Sequence, residues 1–320
     1  LEIGITTDIE ATIKEEGEIV VSAKLFLDIV RRLPEEIVFI ETDERMVTYI
    51  ACGKVNYQIV GMSSVEYPDL PSFEQTDRIT LNAKILRDMI RQTVYAVSEN
   101  TAKPIYTGSL YEIEDGVFKI IAIDGYRMAI RSENVDSESK NRFVVPGKTQ
   151  HEVLKLLTDD EENTEIIIGQ RHITFKIKNY RIISRLIEGT FIEYKSAIPK
   201  ETKTEVVINT RTIIDAVERM SLLNNDRIQS PVRCIFSDDE IKLSCTSAVG
   251  RANDVISVPI IGESVEIGFN NRYLLDALKN ADTDEIKLIL NGSLTAMIVK
   301  PVKGDSYLSI VVPMRLANEN

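Results

Sequence analysis

A short amphipathic segment that returns twice more at a constant interval constrains this chain more than any other feature. It reads AKLFLDIVRRL at 23–33, GKTQHEVLKLL at 147–157 and NRYLLDALKNA at 271–281. Lys24, Lys148 and Arg272 are in register, since 148−24 = 124 and 272−148 = 124, and the same interval relates Arg31, Lys155 and Lys279. Seven residues are two helical turns, so each copy carries two cations on one face about 10 Å apart. The opposite side is apolar at helical spacing: Phe26, Ile29, Val30 and Leu33, then Val153, Leu154 and Leu157, then Leu274, Ala277 and Leu278. A period of 124 far exceeds the roughly 20–50 residues of a solenoid layer, so each repeat is a domain.

The spacing of apolar residues fills in a common plan. A helix from Asn82, its N-cap, carries Lys84, Arg87 and Arg91 on one face, and a matching helix from Asn209 carries Arg211 and Arg219. Each full repeat reads as helix, strands, helix, strands. That is an α+β fold whose mostly antiparallel sheets carry both helices on one side. The expected domains are 1–76, 77–201 and 202–320. Only the second half of the plan is present in the first, which opens with strands at 2–6 and around Ile9, Ala11 and Ile13. On the logic of the repeat, the chain lacks roughly the first 40–50 residues of a complete set.

Composition narrows the function. A net charge of −12 excludes broad attraction to nucleic acid, so any contact with DNA must use cations segregated onto one surface. There is no run of 18 apolar residues and no secretory leader is visible, which points away from membranes and towards the cytoplasm. Three scattered cysteines suggest buried thiols in a reducing compartment. His151 and His172 belong to no metal motif, no phosphate-binding glycine loop is present, and Asp124-Gly125 reads as a turn between strands. Nothing forms a catalytic or metal constellation, and no cofactor is implied.

The repeated cations have a plain reading too. Lys24–Asp28, Lys148–Glu152 and Arg272–Asp276 are each spaced as i,i+4 ion pairs on a solvated face. Three copies in one register, with companions on the preceding helices, favour a shared role instead.

The segments IAIDGYRMA (121–129), VVPGKT (144–149), RLIEGTFIEY (185–194), EIGFNNRYLLDAL (266–278) and VVPMRL (311–316) resemble the bacterial DNA polymerase III beta subunits, the replicative sliding clamps. The resemblance runs over essentially the whole chain, in order. It implies a DNA-clamp fold of three repeated domains, here with the first incomplete, in a head-to-tail homodimeric ring around duplex DNA. Such a ring tethers the replicative polymerase and other DNA-processing proteins and has no catalysis of its own. A three-domain interaction scaffold that never touches DNA is the alternative.

By the resemblance, the DNA-facing residues are Lys24, Arg31, Lys84, Arg87, Arg91, Lys148, Lys155, Arg211, Arg219, Arg272 and Lys279. Contact with phosphates alone suits a protein that slides, since base contacts would trap it. A pocket for short peptides from the polymerase alpha subunit, the clamp loader and repair proteins maps to Tyr106, Ile123, Gly125, Tyr126, Arg127, Met128, Ile192, Ala197, Asn270, Tyr273, Val311, Val312, Pro313, Met314, Arg315 and Leu316. Ile192 stands where the family often has Pro, Ser196 where some members have Arg, and Tyr126 where some have His. Residues 317–320 extend past the usual terminal Leu. The dimer interface maps to Tyr57 and Ile59 on one side and Leu222 and Leu223 on the other.

Overall fold

A computed structural model describes residues 2–71, 77–158, 162–224 and 230–316. These form two compact units, one of residues 8–71 and the other of residues 2–7 with the described residues from 77 onward.

In the smaller unit, helix α1 (Ala23–Val30) accompanies an antiparallel sheet of Val38–Thr42, Val47–Cys52 and Val55–Val60. The core is small: Ile29, Ile50 and Ile59 are buried, with Val21, Phe26 and Leu33 packed on them. Val30, expected on the inward side of α1, is 42% exposed. The expected strand around Ile9, Ala11 and Ile13 does not form; the strand is Ile3–Thr7, and Ile9 and Ile13 are exposed.

The larger unit carries four helices among the described residues: α2 (Ala83–Val94), α3 (Gly147–Leu156), α4 (Thr210–Ser221) and α5 (Asn271–Lys279). Asparagine starts three of them. The Asn82 side chain accepts from the Lys84 and Ile85 amides, Asn209 from the Thr212 amide, and Asn270 from the Arg272 and Tyr273 amides, each satisfying N–H groups that a helix start leaves unpaired. Pro146 precedes α3 instead, with no side-chain cap. Apolar faces drive the packing. Leu86, Met89 and Ile90 of α2 lie in the core of the second repeat, and Leu274, Ala277 and Leu278 of α5 in that of the third.

All sheet pairings are antiparallel. A five-stranded sheet runs Ile3–Thr7, Tyr180–Arg185, His172–Ile177, Asn163–Ile168, Asp77–Asn82. A four-stranded sheet runs Gly250–Ser257, Glu240–Ser247, Val232–Ser237, Val265–Phe269. The largest, of nine strands, crosses from the second repeat into the third. Its central junction pairs Arg127–Asn134 with Tyr307–Val311, placing Arg127 opposite Val311 and Met128 opposite Ile310. The final strand, Tyr307–Val311, stops short of Pro313, which has no N–H to continue a ladder. Met314 then bridges to Gly268. Cys52, Cys234 and Cys245 are buried free thiols.

Candidate functional site

Two groups of residues stand out, the helical cations and a cluster beside the repeat junction. The cations divide sharply by partner. Lys24, Arg31, Lys84 and Lys148 are exposed, and their side chains form no ion pair or hydrogen bond among the described residues. The others are engaged. Arg91 pairs with Asp282 and lies 3.5 Å from Asp88. Lys155 pairs with Glu152 at 2.8 Å, Arg211 with Asp215 at 2.8 Å, Arg272 with Glu99 at 3.2 Å and Lys279 with Glu218 at 2.6 Å. Arg219 binds Asp254, on the strand Gly250–Ser257, through Nε at 2.8 Å and Nη2 at 2.5 Å. Arg87 is half-buried on α2.

None of the three i,i+4 pairs expected from spacing is made. Asp28 pairs with Arg32 instead of Lys24, Glu152 reaches Lys155 instead of Lys148, and Asp276 turns to Arg127. The register cations Lys24 and Lys148 are left free for an external anion.

The second group is built on the hairpin between Val117–Ile123 and Arg127–Asn134. Asp124 Oδ1 accepts from the amides of Tyr126 (2.8 Å) and Arg127 (3.0 Å), closing the turn, and Gly125 takes the positive φ of 94° that it requires. Asp124 Oδ2 then accepts from Arg127 Nε at 3.0 Å. The Arg127 side chain is 6% exposed and also pairs with Asp276 on α5. Its guanidinium lies 4.6 Å from the Tyr273 ring centroid and 5.5 Å from that of Tyr95. Tyr126, 60% exposed, stacks on Tyr273 with centroids 5.8 Å apart and planes 19° from parallel.

The chain end joins this cluster through its backbone. The Val312 amide donates to the Tyr126 carbonyl at 2.9 Å, and the Met314 amide to the Gly268 carbonyl at 2.8 Å. A Cβ at Gly268 would stand 2.6 Å from Leu316 Cδ2 and 3.1 Å from the Met314 carbonyl oxygen, so a larger residue there would displace the Leu316 side chain. Val312 and Arg315 are exposed, while Pro313, Met314 and Leu316 are half-buried. Tyr106, Ile123 and Met128 belong to the adjoining apolar cluster, where Tyr106 meets Phe191 edge-on at 5.8 Å. Ile192 and Ala197 are exposed on the segment that follows Phe191. Asn270 caps α5 and so fixes the position of Tyr273. The surface thus mixes aromatic and Met side chains, a composition suited to peptide contact.

Three residues of this arrangement escaped the sequence reading. Asp276 looked like a helix-surface acid and Asp124 only like a turn former, and Tyr95 carried no signal of its own. Together with Tyr273 they hold the buried Arg127, whose partner in α5 is 149 residues away. Of the four interface residues, Leu222 is 82% exposed, Leu223 packs on the core of the third repeat, and Tyr57 is 36% exposed. Ile59, 7% exposed, packs in the small unit's own core with Ile29 and Ile50. The extension 317–320 lies outside the described residues.

Among the described residues no group of three or more His, Cys, Asp or Glu side chains is placed to hold a metal. No helix among them is long and apolar enough to cross a membrane.

Comparison with known proteins identifies the family. The family models for the N-terminal, central and C-terminal domains of the DNA polymerase III beta subunit match residues 1–71, 80–193 and 195–315. The beta sliding clamp of Halalkalibacterium halodurans is 34% identical over 322 residues, covering 98% of this chain and 84% of that relative. The crystal structure of the DNA polymerase sliding clamp from Bacillus subtilis superposes with a TM-score of 0.95 at 32% identity, covering 99% of this chain and 87% of that one. A DNA polymerase III beta subunit structure from Eubacterium rectale gives 0.94 at 32% identity, covering 98% and 86%.

Proposed function

The chain belongs to the DNA polymerase III beta subunit family, the beta sliding clamps, and we propose that two copies close head to tail into a ring held on duplex DNA by Lys24, Arg31, Lys84 and Lys148. The protein is a DNA sliding clamp, a non-catalytic processivity factor whose partners are DNA and a DNA polymerase. The observation that carries this is the match of three domain models of one family, in order, along the chain. Its place of action is the cytoplasm.

The free cations suit phosphate contact without base readout, and each contact is weak enough to be exchanged as the ring moves. Arg87 and Arg91 share α2 with Lys84, Lys155 shares α3 with Lys148, and Arg211, Arg272 and Lys279 lie on α4 and α5. Arg91, Lys155, Arg211, Arg272 and Lys279 add to phosphate contact to the degree that their acidic partners release them. Arg219, bound to Asp254, is tied to a sheet edge instead.

Ring closure follows from the repeat. The last strand of the second repeat, Tyr180–Arg185, pairs with Ile3–Thr7, and the last strand of the third, Tyr307–Val311, pairs with Arg127–Asn134 of the second. Among the sheet edges of the described residues are Val55–Val60, the last strand of the first repeat, and Gly250–Ser257 of the third. An open edge is a template for another strand. Joining these two edges between copies is heterologous and closes after two steps. Leu223 lies 3.8 Å from where a Cβ would stand at Gly250, so Leu222 and Leu223 flank that edge, and Tyr57 flanks the other.

The exposed aromatic and Met cluster around Tyr126, Tyr273, Val312 and Met314 is the proposed docking site for short peptides of the polymerase alpha subunit, the clamp loader and repair proteins. Ile192, Ala197, Arg315 and Leu316 lie in the segments that flank it.

Primer extension on a singly primed circular template tests the function. Products lengthen severalfold when the protein is added with polymerase and clamp loader. Product lengths that do not change contradict it.

A further inference from the structure

A second concave site lies at the far end of the nine-stranded sheet and shares no residue with the Tyr126 cluster. The edge strand there is Asn141–Pro146, paired on one side only, to Gly108–Glu114. The Ile187 amide donates to the Val144 carbonyl at 3.0 Å from the other side. In an antiparallel strand the N–H and C=O of one residue point the same way and alternate along the chain. Val144 therefore faces outward, and so does Arg142 two residues earlier. The segment running through Ile187 covers only the Val144 half of the edge. At Arg142 the outward backbone N–H and C=O have no hydrogen-bond partner among the described residues.

Beside that open half lies a cavity of about 400 Å³. Leu110, Val144, Ile187 and Phe191 give it apolar lining, and its charged lining residues are Arg142, Arg171 and Glu188, the last met by Arg185 at 3.4 Å. Arg171 is exposed and forms no ion pair among the described residues. Arg142 is 44% exposed, and its nearest acid, Glu112, is 3.9 Å away. Glu112 is itself engaged by the Tyr194 hydroxyl at 2.8 Å. In a chain of net charge −12, two loosely held arginines beside an apolar lining form a local positive site.

We propose that this groove takes an extended acidic peptide segment of a partner protein, which adds as a strand along Arg142. Main-chain hydrogen bonds to the Arg142 N–H and C=O supply register, one aliphatic side chain enters the cavity, and a carboxylate on either side of it meets Arg142 and Arg171. A charge on an edge strand ordinarily discourages pairing with a second sheet. Here the positive sign selects an acidic strand. The site is independent of the clamp reading and adjoins the proposed peptide pocket through Phe191, which Tyr106 meets edge-on.

The test uses the full-length chain and a blocked heptapeptide of alternating glutamate and valine, with the lysine–valine counterpart as control. Binding is followed by fluorescence anisotropy, and amide hydrogen exchange maps it. The glutamate peptide binds and slows exchange over 141–146, the lysine peptide does not, and affinity falls as salt rises. Arg142→Glu with Arg171→Glu weakens binding by at least about tenfold. Arg142→Lys with Arg171→Lys retains most of it, which separates loss of charge from misfolding. No binding, equal binding of both peptides, protection at 124–128 and 311–316 instead, or an unaffected double glutamate variant overturns the proposal.

Discussion

The guanidinium of Arg127 lies 4.6 Å from the centroid of the Tyr273 ring, across the junction of the second and third repeats. Arg127 is set by Asp124 in its own hairpin and by Asp276 in α5, so one side chain ties the turn to the helix. Tyr126 stacks on Tyr273 and presents the outer end of the arrangement to solvent. A buried cation over an aromatic face contributes roughly 2 kcal/mol, and removing one member of a buried charge cluster costs more than the pair contributes.

Arg127→Met fills similar volume but leaves Asp124 and Asp276 without their cation. The expected loss is about 3 kcal/mol, read as a lower urea midpoint at unchanged slope. Tyr273→Leu keeps both ion pairs and costs less, about 1–2 kcal/mol. An Arg127→Met variant as stable as the parent removes Arg127 from the centre of the junction.

Leu222 is 82% exposed beside the open edge Gly250–Ser257. If that edge meets Val55–Val60 of a second copy, Leu222→Ala removes apolar area that is buried only in the dimer. The dissociation constant then rises about tenfold to thirtyfold, while the unfolding of the separated chain stays within about 0.5 kcal/mol. Sedimentation over a concentration series measures the first and urea unfolding the second. A dissociation constant that stays put argues for a different closing surface.

His172 provides a pH signature. Burial holds its pKa below the ordinary 6.5, with Arg185 and Arg171 acting in the same direction. The folded state therefore disfavours the imidazolium. As pH falls through 6.5 the unfolded chain takes up a proton that the folded chain does not, so stability declines between 6.5 and the lower folded value and then levels off. Glu165 acts in a lower window. Its hydrogen bond from Lys176 holds the carboxyl below 4.5, so its contribution is present above 4.5 and is lost as pH falls through the folded value. In thermal unfolding from pH 7 to pH 3, His172→Gln flattens the upper limb and Glu165→Gln the lower. A single change that flattens both limbs contradicts this assignment.

Much of the architecture could be read from local pattern. Asn82 and Asn209 stand directly before apolar-periodic runs, and both cap helices. The repeat plan anticipated antiparallel sheets with helices on one side. The strand Asn141–Pro146 was not anticipated, because Asn141 and Arg142 prolong the polar run before them and its partner, Gly108–Glu114, lies about 30 residues back in the chain. Thr204–Asn209 and Val265–Phe269 run straight into helices, so their short apolar periods merge with the helical ones. Charge partners were the least legible. Arg272 has Asp276 one turn away but reaches Glu99, and Asp276 reaches Arg127. Sequence spacing sets which pairs are within reach on one helix, and tertiary packing sets which are made.

The most direct test of the clamp account is retention on DNA of defined topology. After loading onto nicked circular duplex, the wild-type protein is predicted to stay bound through gel filtration and to be lost once one restriction cut linearises the circle. Lys24→Glu, Lys84→Glu and Lys148→Glu together reverse three of the four cations left without acidic partners among the described residues. They are predicted to lower the salt slope of DNA binding by roughly 2–3 and to shorten retention on the circle, while leaving urea unfolding unchanged. Equal retention on circular and linear duplex would contradict the account.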